Sequence, residues 1–161
     1  MVFREQGNKR NVAGDLAYLA RLTRERGGSD VVWRESIREA LDLWSEIGND
    51  DRWAAECLIE VAIRIGTDGR RVAAVELVAS AFALRSALLA GDEKLARYLA
   101  VAEVDGGSNF AIVVPFVAAW RVDLGDQGFS AAWTTGTRLT MAQAIADARD
   151  EAAEVGIKRA L

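Results

Sequence analysis

The sequence repeats itself at an interval that suits stacked helical units. Gly7-Asn8 recurs as Gly48-Asn49 at an offset of 41, and Leu16, Leu19 and Ala20 recur as Leu58, Val61 and Ala62 at 42. Gly28, Ile37 and Ala40 then recur as Gly69, Val78 and Ala81, again at 41, so one residue slips in the turn between helices. Units of this length are helix pairs that cannot bury their apolar faces alone and must stack. The opening, Val2 to Asn8, lines up with Leu43 to Asn49, the end of a repeat's second helix. On that alignment the chain opens inside a repeat and is expected to be part of a longer array.

Composition fits such an architecture. The chain has 161 residues, of which 51% are hydrophobic and 27% charged, enough for one compact core in one domain over 1–161. A single proline and abundant alanine, leucine and valine predict an all-helical chain. The net charge of −4 argues against a nucleic-acid-binding surface, which carries a basic stripe. The basic pairs Lys9-Arg10, Arg70-Arg71 and Lys158-Arg159 are short and read as solvated helix ends. There is no histidine, which removes Ser/His and Cys/His triads and histidine-bearing metal sites. The one cysteine, Cys57, sits in an apolar helical pattern and reads as a buried small hydrophobe. No internal disulfide can form, which fits a reducing cytosol, and no apolar run approaches 18 residues. A cytoplasmic protein away from the membrane is expected.

Apolar spacing at 3–4 residues places the elements. A first helix runs from about Asn11 to Glu25 and ends at Gly27-Gly28, with Ser29 or Asp30 capping the next. The second carries Trp33, Ile37, Ala40, Leu41 and Trp44 and stops at Gly48-Asn49. Asp50 or Asp51 caps a third, bearing Trp53, Leu58, Val61, Ala62 and Ile65, and Thr67-Asp68-Gly69 is its turn. An alanine-rich fourth helix reaches about Leu89, closed by Gly91. A short helix over Asp92 to Val104 follows, broken by Asp105-Gly106-Gly107-Ser108. Asn109 to Leu124 reads as helix kinked near Pro115, despite the β-branched Ile112-Val113-Val114. Gly125-Asp126 opens a helix through Trp133 that Gly136 ends, and Thr140 caps a last helix from Met141 to about Val155.

The second hairpin resembles the tetratricopeptide pattern. Leu58, Val61, Ala62 and Ile65 take the first helix's packing positions, Gly69 the turn, and Ala74, Val78 and Ala81 the second helix's. Trp33 departs from it, standing where a small residue belongs; the helices there must sit further apart, or Trp33 must turn outward. The run Leu124-Gly125, then Phe129, Trp133 and Gly136, then Leu139-Thr140-Met141 and an alanine-spaced helix, resembles a second, more specific arrangement. It is similar to the end of the helical-repeat region in large bacterial ATP-binding regulators of the LuxR and antibiotic-regulator types, and in some class III adenylate cyclases. Arg52-Trp53 and Ala79 to Arg85 match that region too, so the likeness spans about Phe3 to Ala148, departing between Gly91 and Gly125.

The resemblance implies a right-handed tetratricopeptide-like solenoid of antiparallel hairpins over about 3–91, with capping helices over 92–161. It implies a groove lined by the first helix of each hairpin, here Arg21, Arg24 and Glu56 with Ile59 and Ile63 as apolar contacts. Ordinary exposed helix surface is the alternative for each. In the cap, Phe129 and Trp133 lie one turn apart and are expected to bury together with Trp120, while Gly136 supplies a left-handed helix end.

Chemistry-bearing motifs are scarce. No Gly-x-x-x-x-Gly-Lys-Ser/Thr phosphate loop occurs, and Gly27-Gly28-Ser29 and Gly106-Gly107-Ser108 read as helix ends. Asp147, Asp150, Glu151 and Glu154 form an acidic stripe without a second converging cluster, better read as a solvated face than a divalent-ion site. No catalytic residue, metal site or cofactor is expected. The reading that follows is a non-catalytic regulatory module binding a peptide, protein or small effector. The alternatives are a free-standing protein that homodimerises through its N-terminal hairpin, or an enzyme on an all-helical scaffold.

Overall fold

The computed structural model describes residues 2–48, 52–90, 93 and 108–157. Every described element is a helix: α1 (Val2–Glu25), α2 (Asp30–Ile47), α3 (Arg52–Thr67), α4 (Arg71–Leu89), α5 (Asn109–Ile112), α6 (Val114–Thr137) and α7 (Met141–Ala153). The expected caps at Asp50 or Asp51, the closure at Gly91 and, apart from Glu93, the short helix over Asp92 to Val104 lie outside the described residues, as does Asp105-Gly106-Gly107.

Local signals explain most boundaries. Gly27 and Gly48 end α1 and α2 with φ of 64° and 67°, a backbone region closed to most side chains. The Ser29 hydroxyl accepts from the backbone N–H of Val31 and starts α2. Thr140 and Gln143 form a reciprocal capping box at the head of α7, each side chain accepting the other's backbone N–H. Pro115 occupies the first turn of α6, where its missing N–H costs nothing, so the break falls at Val113 between two helices rather than as a kink within one.

The expected helix end at Gly7-Asn8 and helix start near Asn11 are corrected. Both residues lie inside α1, which is continuous from Val2, and Gly7 does not have the positive φ of Gly48. A glycine inside a helix costs roughly 1 kcal/mol, too little to break one that packs along a neighbour. Here Lys9, two residues further on, pairs with Glu46 of α2 at 2.9 Å.

Two helix pairs, α1/α2 and α3/α4, pack extensively, and α3 also contacts α1 and α2. α3 is buried almost all round, from Ala54 to Gly66, as a helix apolar on every face requires. α6 packs along α4. Gly125, at φ 71° and ψ 164°, divides α6 into two helical segments, as Gly125-Asp126 predicts. α7 lies back over α2, α3 and α4. Its Arg149 meets Asp42, its Glu151 meets Arg70, and Arg34 donates to the carbonyl of Val155, so α7 runs antiparallel to both α2 and α4. The C-terminal helix thus touches the first hairpin as well as the second.

Candidate functional site

The five groove candidates all lie on α1 and α3, but the structure puts them to other uses. Ile59 and Ile63 are fully buried and cannot touch a ligand; α3 is packed on the side the groove was expected to occupy. Glu56 accepts from the Ser108 hydroxyl and the Asn109 backbone N–H, both at 2.7 Å. Its own backbone carbonyl accepts from the Asn109 side-chain amide. The segment leading into α5 is therefore seated on α3 where an open groove was expected. Burial pushes the Glu56 carboxyl above its ordinary value of 4.5, opposed by its bonds to Ser108 and Asn109.

Arg24 makes a bidentate pair with Glu60, at 2.8 and 3.1 Å. Trp33 Nε1 donates to the same carboxylate at 3.0 Å. Trp33 therefore turns inward, correcting the outward alternative, and its polar edge is satisfied across the hairpin boundary. Glu60, wholly buried, was not singled out in the sequence; the signal was an acid between Ile59 and Val61 in an otherwise apolar helix. Arg21 pairs with Glu25 at 2.9 Å, one turn along α1.

The aromatic cap is arranged differently from the expectation. Phe129 and Trp133 stack with centroids 5.6 Å apart, as their spacing predicts. Trp120 does not join them. It pairs with Phe116 at 6.1 Å and lies against Gly66 of α3, while Trp133 meets Phe82 of α4, which in turn meets Phe110. The break at Gly125 separates Trp120 from Phe129 and sends them to different neighbours. Gly136 is not left-handed but helical and buried. A Cβ there would overlap the carbonyl oxygen of Glu76 and lie 2.7 Å from the Ala79 Cβ, so its glycine serves close approach to α4.

Cys57 is buried, and its thiol is pushed up to about 12 by desolvation and the nearby Glu60 charge, which keeps it protonated. Glu76 of α4 does converge on the acidic stripe of α7. With Asp147, Asp150 and Glu151 it lines a cleft of about 260 Å³. Burial first, then repulsion from Asp147 and Glu151, raises the Glu76 carboxyl. Even so, no group of three or more Asp, Glu, His or Cys among the described residues is arranged to hold a metal ion. A larger cleft of about 690 Å³ between α2 and α7 carries Arg34, Arg38 and Arg149 opposed by Glu35, Asp42 and Asp150. With equal numbers of opposite charges, it has no net preference for an anion or a cation.

What remains open is α1. Its inward side carries Ala13 and Ala20, both fully buried, and its outward side exposes Val12 (45%), Tyr18 (58%) and Leu19 (45%). Leu22, on that same side, is half-buried. By the repeat register Leu19 corresponds to Val61, and the face of α3 around Val61 is the one that docks on the first hairpin, through Glu60 to Arg24 and Arg64 to Asp30. α1 thus presents the counterpart of a docking face, and that face is exposed among the described residues.

Compared with models of protein families, with curated proteins and with solved structures, the chain matches none of them. Among the described residues no helix is long and apolar enough to cross a membrane.

Proposed function

We propose that the chain is a helical-repeat interaction module of a bacterial signalling or transcription regulator, holding a protein or peptide partner rather than catalysing a reaction. Its two hairpins are read as units of a tetratricopeptide-like right-handed solenoid, with α5 to α7 as the capping helices. The carrying observation is the outward face of α1. It exposes, in the register of the repeat, positions that α3 buries against its neighbour, with Val12, Tyr18 and Leu19 about half in solvent. Exposed apolar side chains that cluster on one helix face mark contact surfaces. The interaction surface therefore moves from the expected groove, where Glu56 is bonded to the α5 segment, to the outer side of α1. The regulatory setting, and with it a cytoplasmic location, rests on the likeness of the Leu124 to Ala148 run to regulator repeat ends.

A photo-crosslinking residue placed at Leu19 tests this reading in cells, with Val122, 82% exposed on α6, as the control position. A discrete protein adduct is expected at Leu19 and absent at Val122. No adduct, or the same adducts at both positions, would overturn it.

A further inference from the structure

The outward face of α1 has a charge pattern that reads the same in an antiparallel partner. Asp15, Leu19, Leu22 and Arg26 follow one another at spacings of four, three and four, which places them along one stripe of a 3.6-residue helix. The stripe lies opposite the buried Ala13 and Ala20. Arg26 stays in register because its N–H bonds to the Leu22 carbonyl at 3.1 Å. Asp15 and Arg26 are exposed, and neither pairs with another described residue. Three other charges on α1 are committed, Lys9 to Glu46, Arg21 to Glu25 and Arg24 to Glu60.

We infer that α1 pairs with α1 of a second copy of this chain, antiparallel about a two-fold axis midway between Leu19 and Leu22. In that register Leu19 faces the partner's Leu22 and Asp15 faces the partner's Arg26, each contact occurring twice. An isologous interface needs such self-complementarity, and like charges fall opposite one another nowhere along the stripe. Two other registers are worse. A shift that centres the axis on Asp15 puts two carboxylates face to face, and one centred on Arg26 does the same with two guanidinium groups. The equivalent stripe of α3, through Cys57, Val61 and Arg64, is already engaged with the first hairpin, whereas that of α1 is exposed at Asp15, Leu19 and Arg26. A single helix pair is smaller than a standard interface, so the dimer is weak, with a Kd on the order of 10⁻⁵–10⁻⁴ M.

This inference rests on the proposed role of the α1 face and names its occupant. Sedimentation equilibrium of the full chain up to about 1 mM tests it, with circular dichroism checking that each variant folds. The wild-type chain is expected to dimerise, and Leu19→Arg to weaken the dimer by about tenfold or more. Asp15→Arg and Arg26→Asp alone should each weaken it by about tenfold, since each sets like charges together twice. Mixing those two single variants should restore a dimer, because each then meets its opposite, and the double exchange in one chain should do the same. A monomer at 1 mM, a dimer indifferent to Leu19→Arg, or a mixture that does not reassociate would overturn the pairing. A monomeric chain that still gives the Leu19 adduct with a different protein removes only the self-pairing. A monomer with no adduct removes the interaction-module reading as well.

Discussion

Replacing Glu60 with alanine should cost about 3–5 kcal/mol of folding stability, because its carboxylate is the shared acceptor of one buried donor, Trp33, and one part-buried donor, Arg24. The Arg24 guanidinium reaches it through two hydrogen bonds and the Trp33 indole through a third, and Glu60 itself is fully buried. Truncation leaves Trp33 Nε1 without a partner in the core, a loss of about 1–3 kcal/mol for a buried donor. It also leaves Arg24, whose side chain is 16% exposed, with Glu25 at 4.0 Å as its nearest remaining acid. Loss of side-chain volume adds a small cavity term on top of these. Glu60→Gln keeps an acceptor for Trp33 but turns an amide NH₂ toward the guanidinium, so about 1–3 kcal/mol is expected. Urea unfolding followed by circular dichroism measures both, and a double-mutant cycle of Arg24→Leu with Glu60→Leu isolates the pair. The coupling should be about 2 kcal/mol or more. A Glu60→Ala loss below about 1 kcal/mol, or coupling near zero, would refute the claim that this network ties the two hairpins together.

Gly136→Ala should destabilise by about 1–3 kcal/mol, because its methyl would overlap the backbone of Glu76, whereas Gly14→Ala, with open space around its Cβ, should stabilise by about 0.5–1 kcal/mol in the same urea assay. Gly66→Ala should be similarly harmful, its Cβ lying 2.5 Å from Trp120 Cε2, and much of that loss should disappear in a Trp120→Ala background, since there the obstacle is a side chain. Trp120→Ala alone should cost about 3–5 kcal/mol and half-buried Trp133→Ala less, which denaturant midpoints will rank. Glu56 and Glu76 both have raised carboxyl pKa values, so the folded state holds their protons more tightly than the unfolded chain. Their contribution to stability is full below about pH 4.5 and is lost as pH rises through the folded values, so Glu76→Gln should flatten the fall in stability above pH 4.5 and raise the melting temperature at neutral pH. An unchanged pH profile would refute that assignment.

The sequence determined the local structure wherever the controlling chemistry lies within one helical turn. Gly27, Gly48 and Gly69 mark chain reversals because each has a positive φ. Ser29 and Thr140 start helices because their hydroxyls lie only two and three residues from the N–H groups they satisfy. The unbroken apolar run of α3 already required burial on all sides. Gly7-Asn8 shows the limit of the repeat pattern: a helix continues through a glycine when packing supports it, and sequence similarity to Gly48-Asn49 does not report the packing.

Only the tertiary structure decided which surfaces remain free. Glu56 reads as a groove residue until Ser108 and Asn109, more than fifty positions away, come to rest on it. Trp120 and Phe129 look like partners until Gly66 of α3 receives Trp120 and Phe82 of α4 receives Trp133, the stacking partner of Phe129. Gly136 looks like a helix end until α4 is brought against it, and Glu60 becomes intelligible only once Arg24 and Trp33 arrive from two other helices. In each case the deciding contact joins residues distant in sequence, where periodicity says which side is apolar but not which neighbour will cover it. The α1 stripe belongs to both descriptions: its spacing is written in the sequence, and its availability follows from the packing that covers its counterpart on α3.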